Sequence, residues 1–213
     1  MSEKISLKEA ERKAFKTKID DGMWDILLGC FFLLFVAALY LSPSLGDFWS
    51  SAIIIPGLGF GYLIIWLTRK YIITPRIGLV KFGKTRKIKL KRFTIVMLII
   101  NSIAFILGII ASLTFGIVPG QMISALFGLM LLIIFSMGAY YLDIARFYVY
   151  GLLAGVMPMV GEWLWSRGYA SHHGIPVMFG SGGGIMILVG IFIFIRLVHV
   201  NPSVQSEFPR ENA

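Results

Sequence analysis

RKYIITPRIGLVKFGKTRKIKLKR, residues 69–92, runs without a break into FTIVMLIINSIAFILGIIASLTF, residues 93–115, and this junction decides what kind of chain this is. The first stretch carries ten Lys or Arg and no acid; the second carries no charge at all. A helix rises about 1.5 Å per residue, so an uncharged run of this length reaches across a hydrocarbon core of roughly 30 Å. A cationic segment that stops where such a run starts marks the cytoplasmic mouth of a membrane span.

Working outward, five more apolar runs of similar length appear. The expected spans are Met23 to Leu41, Ser51 to Thr68, Phe93 to Phe115, Gln121 to Leu142, Phe147 to Trp165 and Gly174 to Val198. With 57% hydrophobic and 15% charged residues, the 213-residue chain is too apolar for a soluble domain. The expected fold class is therefore an all-α membrane protein, a six-transmembrane-helix bundle. Residues 1–21 form a cytoplasmic amphipathic helix, 22–199 the transmembrane domain and 200–213 a cytoplasmic tail.

Nineteen of the twenty Lys and Arg then fall on one side: six before the first span, ten in 69–92, and Arg146, Arg196 and Arg210. Only Arg167 lies opposite. Both termini are expected in the cytoplasm, in a cytoplasmic (inner) membrane. The first run is too long for the apolar core of a signal peptide and reads as an uncleaved anchor. The net charge of +9 is explained by this flanking pattern, so no nucleic-acid partner is expected. Cys30, the single cysteine, permits no intrachain disulfide. Trp24, Trp66, Tyr71 and Tyr140 inside, and Trp49, Trp163 and Trp165 outside, sit where an interfacial aromatic belt belongs.

Ser6-Leu7-Lys8-Glu9 is a capping box, and the helix expected after it, Leu7 to Ile19, suits an anionic membrane surface. In the basic loop, the period-two alternation Arg86-Lys87-Ile88-Lys89-Leu90-Lys91 predicts a strand. It is expected to pair with Ile77 to Phe82 as a β-hairpin on the cytoplasmic face. Arg76, Lys81, Lys84, Arg86, Lys87, Lys89, Lys91 and Arg92 are the candidate contacts to anionic lipid headgroups or to a partner, either a second copy or another membrane protein. Gly78-Leu79-Val80-Lys81-Phe82-Gly83-Lys84-Thr85 matches the phosphate-loop pattern letter for letter. That chemistry needs a strand before it, a helix starting at the Lys-Thr and a carboxylate for magnesium. With a hairpin expected here, nucleotide binding is set aside.

Ionisable or amide groups at membrane depth are candidate sites because inserting them is costly. Asn101 lies in the middle of the third span, where an interhelical hydrogen bond is the ordinary reading. Glu162 shares an external link with Arg167, His172 and His173. A Glu162–Arg167 interfacial pair is weighed there against a proton or metal site with the histidines. Glycine runs at 180–184 and at 57–61 after Pro56 suit close helix packing, with broken helices lining a transport path as the alternative. No catalytic constellation is complete and no cofactor is implied.

Asp21-Gly22-Met23-Trp24-Asp25-Ile26, Tyr71-Ile72-Ile73-Thr74-Pro75-Arg76-Ile77-Gly78, Ile195-Arg196 and Asn201-Pro202 together resemble a family of uncharacterised prokaryotic multi-pass membrane proteins. That resemblance implies no activity. The spacing from Tyr71 to Gly83 also resembles the opening hairpin of bacterial pleckstrin-like membrane domains, over about 20 residues and with one residue fewer before the glycine. Three function classes follow: a non-enzymatic accessory or lipid-associating component, a small transporter or channel, and an intramembrane enzyme using Glu162 with His172 or His173.

Overall fold

The computed structural model describes residues 20–77, 84–113 and 119–201, and every described element is helical. In chain order these are α1 (Met23–Leu45), α2 (Asp47–Ala52), α3 (Ile54–Thr68), a π-helical turn (Arg69–Ile73), α4 (Thr74–Ile77), α5 (Lys84–Leu113), α6 (Gly120–Leu142), α7 (Arg146–Ser166), a 3-10 turn (His172–Gly174) and α8 (Ile175–Val200). Among the described residues, five segments are long and apolar enough to cross a membrane: Met23–Leu45, Phe48–Arg76, Gly120–Leu142, Arg146–Ser166 and His172–Val200. The chain is a multi-pass membrane protein by helix length and hydropathy. Large apolar side chains such as Ile55, Leu98, Leu188 and Phe192 stay exposed on the described helices. Lipid, not water, is the solvent such surfaces suit.

The expected β-hairpin is corrected in part. Arg86 to Lys91, read as its second strand, lies inside α5, and no strand occurs among the described residues. Lys, Arg and Leu are strong helix formers, and the apolar run from Phe93 must be helical to satisfy its backbone within lipid. Helix therefore propagates back through the cations at little cost, and the period of two carries no weight. The other proposed strand, Ile77 to Phe82, lies largely outside the described residues, as do Lys81, the N-terminal helix and the tail beyond Asn201.

Pro75 does not end the helical path. It stands second in α4, directly after the π-turn, where both the backbone N–H and the Oγ1 hydroxyl of Thr74 donate to the carbonyl of Arg69, the latter at 2.7 Å. The wider turn takes up the register that a proline forces on the residues before it. The glycine runs do not break their helices either. Pro56 and Pro176 lie in the first turns of α3 and α8, where a missing N–H costs nothing.

The chain divides into two compact units, Met1–Lys81 with Gly183–Ala213, and Phe82–Gly182. In the first, α1 and the later part of α8 meet through glycines seven apart on each helix. A Cβ on Gly190 would stand 2.7 Å from the carbonyl oxygen of Gly22, and one on Gly183 2.8 Å from that of Gly29. Two turns separate each pair, so backbone meets backbone along one seam. Met23, Ile65 and Ile73 are buried beside it, with Ile26, Leu27 and Phe194 packed against them.

In the second unit α6 and α7 form an antiparallel hairpin around the tight turn at Asp143 (φ 58°), where Ile144 N–H reaches the carbonyl of Ala139 at 3.2 Å. Phe135 stands edge-on to Phe147 and Tyr150, with ring centroids at 6.3 and 6.4 Å. Lys89 of α5 reaches this turn, donating to the carbonyl of Tyr140 at 3.1 Å and pairing with Asp143 at 3.6 Å.

Candidate functional site

Glu162 lies near the C-terminal end of α7, faces inward, and is 4% exposed. A buried carboxylate needs partners, and it has two kinds. His173 Nδ1 lies 2.8 Å from its Oε2. Its Oε1 abuts Gly120, so closely that a Cβ at Gly120 would collide with it. Gly120 opens α6, and Pro119 at the N-cap position before it supplies no side-chain cap. The carboxylate thus supplies from α7 the negative charge that the start of α6 lacks.

The loop after α7 delivers His173. Gly168 (φ 76°) reverses the chain, and His172, His173 and Gly174 follow with φ of 49°, 53° and 69°. Two consecutive histidines in left-handed backbone are unfavourable and need outside support. Here the support is visible: Gly174 lies against the backbone of Gly161 with no room for a Cβ, Trp165 stacks on the His173 ring at 4.1 Å, and Glu162 holds Nδ1. His172 is exposed.

Behind the pair lies a cavity of about 170 Å³. Ile123, Phe127, Pro158, Ile175 and Phe179 make its apolar wall, and Gly120, Ser124, Glu162 and His173 its polar end. Phe127 and Phe179 stack within it, centroids 6.1 Å apart. Among the described residues no group of three or more His, Cys, Asp or Glu could hold a metal ion.

The sequence candidates therefore separate. Glu162 pairs with His173 and not with Arg167, whose guanidinium lies over Trp163 at 5.9 Å instead. Arg167 follows the last turn of α7, while Glu162 points into the unit. Among the described residues Asn101 makes no bond between helices: its amide donates to Met97 of its own helix at 2.8 Å, on an exposed face. Arg76 lies in α4 with its Nη1 covered and, among the described residues, without a hydrogen bond. Lys91 and Arg92 are exposed. The backbone of Lys84 to Arg92 is helical and continuous with the rest of α5, and the residues from Gly78 to Gly83 lie outside the described residues. The described element before it, α4, is helical and not a strand.

Two groups went unnoticed in the sequence. Ser124 belongs to the cavity because it stands one turn after Gly120, a spacing that is readable only once Glu162 is known to face Gly120. The other is a buried pair in the first unit. Asp21 is fully buried, accepts Met23 N–H at 3.0 Å, and receives Nε and Nη2 of Arg69 at 2.7 and 3.1 Å. Asp25, four residues on, is also fully buried. The i, i+4 spacing of the two acids was the available signal.

Comparison with family models, with curated proteins and with solved structures finds no match for this chain.

Proposed function

We propose that this protein is a non-enzymatic membrane component that holds anionic lipid headgroups at the start of α5, on the cytoplasmic side of the cytoplasmic membrane. The observation that carries this reading is that six of the first nine residues of α5 are Lys or Arg, with no acid in its first turn. A cationic helical stretch that runs straight into an uncharged one lies at headgroup depth, where its side chains meet anionic phosphates. Lys89 is engaged by Tyr140 and Asp143, and the headgroup contacts are assigned to Lys84, Arg86, Lys87, Lys91 and Arg92.

Each cation near an anionic leaflet contributes about 1 kcal/mol. Nucleotide chemistry shares the phosphate but also needs a preceding strand and a magnesium carboxylate, so lipid phosphate is the better fit. The nineteen-to-one distribution of Lys and Arg supports both termini being cytoplasmic. The channel alternative rested on broken helices, and both glycine runs are unbroken helix. Competition between anionic and zwitterionic lipid for the purified protein, with magnesium nucleotide as a further arm, tests the reading. Preference for the nucleotide would overturn it.

A further inference from the structure

We infer that the cavity between Glu162 and Phe179 is a binding site for a small organic cation, an ammonium group on a compact apolar body. This stands independently of the lipid reading, since it uses other residues and other chemistry.

The polar end fixes the sign of the ligand. Glu162, His173 and Ser124 line it, and no Lys or Arg does among the described residues. The exposed lining is overwhelmingly apolar, and the Glu162 side chain, 6% exposed and paired with His173, is the one carboxylate among its described residues. An anion would meet the carboxylate, whereas an ammonium carries the complementary charge, and a charge-assisted hydrogen bond to carboxylate is the strong kind.

The apolar end fixes the shape. Phe127 and Phe179 present stacked rings, with Pro158 completing the wall. Aromatic faces attract cations and pack against an aromatic or short aliphatic body. A cavity of about 170 Å³ is only slightly larger than the roughly 150 Å³ that accommodates benzene. One ring with a short arm fits, whereas drug-sized ligands need about 300 Å³ or more. His173, whose side chain is 39% exposed, forms the rim through which the ligand enters.

The test uses the full chain in lipid nanodiscs and three probes of nearly equal size: 2-phenylethylammonium, neutral 2-phenylethanol and anionic phenylacetate. Binding is read by intrinsic tryptophan fluorescence, because Trp165 stacks on His173. Saturable binding of the ammonium probe, at least about tenfold tighter than either of the others, is expected, with Glu162→Gln losing that preference. Ser124→Leu fills the cavity while leaving the Glu162–His173 pair in place, and it should abolish binding without lowering thermal stability. It also decides the matter if Glu162→Gln fails to fold. No saturable signal, equal binding of 2-phenylethanol, or unchanged binding by Ser124→Leu would each overturn the inference.

Discussion

Nδ1 of His173 lies 2.8 Å from Oε2 of Glu162, and this bond fastens α7 to the turn that opens α8. The same carboxylate presses its other oxygen against Gly120 at the start of α6. One side chain therefore ties three helical segments of the second unit together.

Gly120→Ala puts a methyl group where Oε1 of Glu162 stands, and overpacking of this kind costs about 1–3 kcal/mol. In the Glu162→Ala background the clash is gone, so the two substitutions should cost clearly less together than the sum of their separate effects. Thermal unfolding in detergent of the four members of the cycle reads this directly. Strict additivity would mean that the carboxylate does not face Gly120.

Asp21 and Arg69 form a two-bond pair with the acid fully buried. Removing one partner of a buried pair leaves a charge uncompensated, which costs about 3–5 kcal/mol. Arg69→Met should lower the unfolding midpoint far more than Lys70→Met, since the exposed Lys70 lies only over the rings of Trp66 and Tyr71. Arg69→Lys should fall between, because the planar two-bond geometry is lost while the charge remains.

Four glycines of α8 separate packing from propensity. Gly183 and Gly190 face backbone of α1, whereas Gly180 and Gly184 have nothing within 4 Å of a Cβ. Gly183→Ala and Gly190→Ala should destabilise, and Gly180→Ala and Gly184→Ala should be neutral or stabilising, as alanine is the better helix former by about 1 kcal/mol. An equal effect at all four positions in a reversible unfolding assay would contradict the seam.

Spin labels placed one at a time from Lys84 to Arg92 distinguish the helix from the strand that the alternation suggests. Accessibility to a water-soluble relaxation agent should vary with a period near 3.6 residues. A period of two would restore the hairpin.

Most of the helical layout was legible because each span is set by a long uncharged run, and lipid leaves the backbone no option but helix. The alternation at 86–91 misled because its period was read without the apolar run beyond Phe93, which drives helix back through it. Glu162 and His173 are legible as candidates, and their pairing is the alternative that the sequence ranks below Glu162–Arg167. Their approach depends on the left-handed backbone at His172 and His173, and that geometry is imposed by Gly161, Gly174 and Trp165 and not by the histidines themselves. Arg69, 48 residues from Asp21, reads in the sequence only as one more topological cation, because nothing local indicates a partner at that distance.

The most direct measurement of the central claim is lipid retention by native mass spectrometry, on protein released from nanodiscs holding equal amounts of anionic phosphatidylglycerol and zwitterionic phosphatidylcholine. The wild type should retain the anionic lipid in at least about tenfold excess, at roughly 1 kcal/mol per cation. Replacing Lys84, Arg86, Lys87, Lys91 and Arg92 with Gln should bring that excess close to one. Undiminished anionic retention by the five-site variant would contradict headgroup binding at the start of α5.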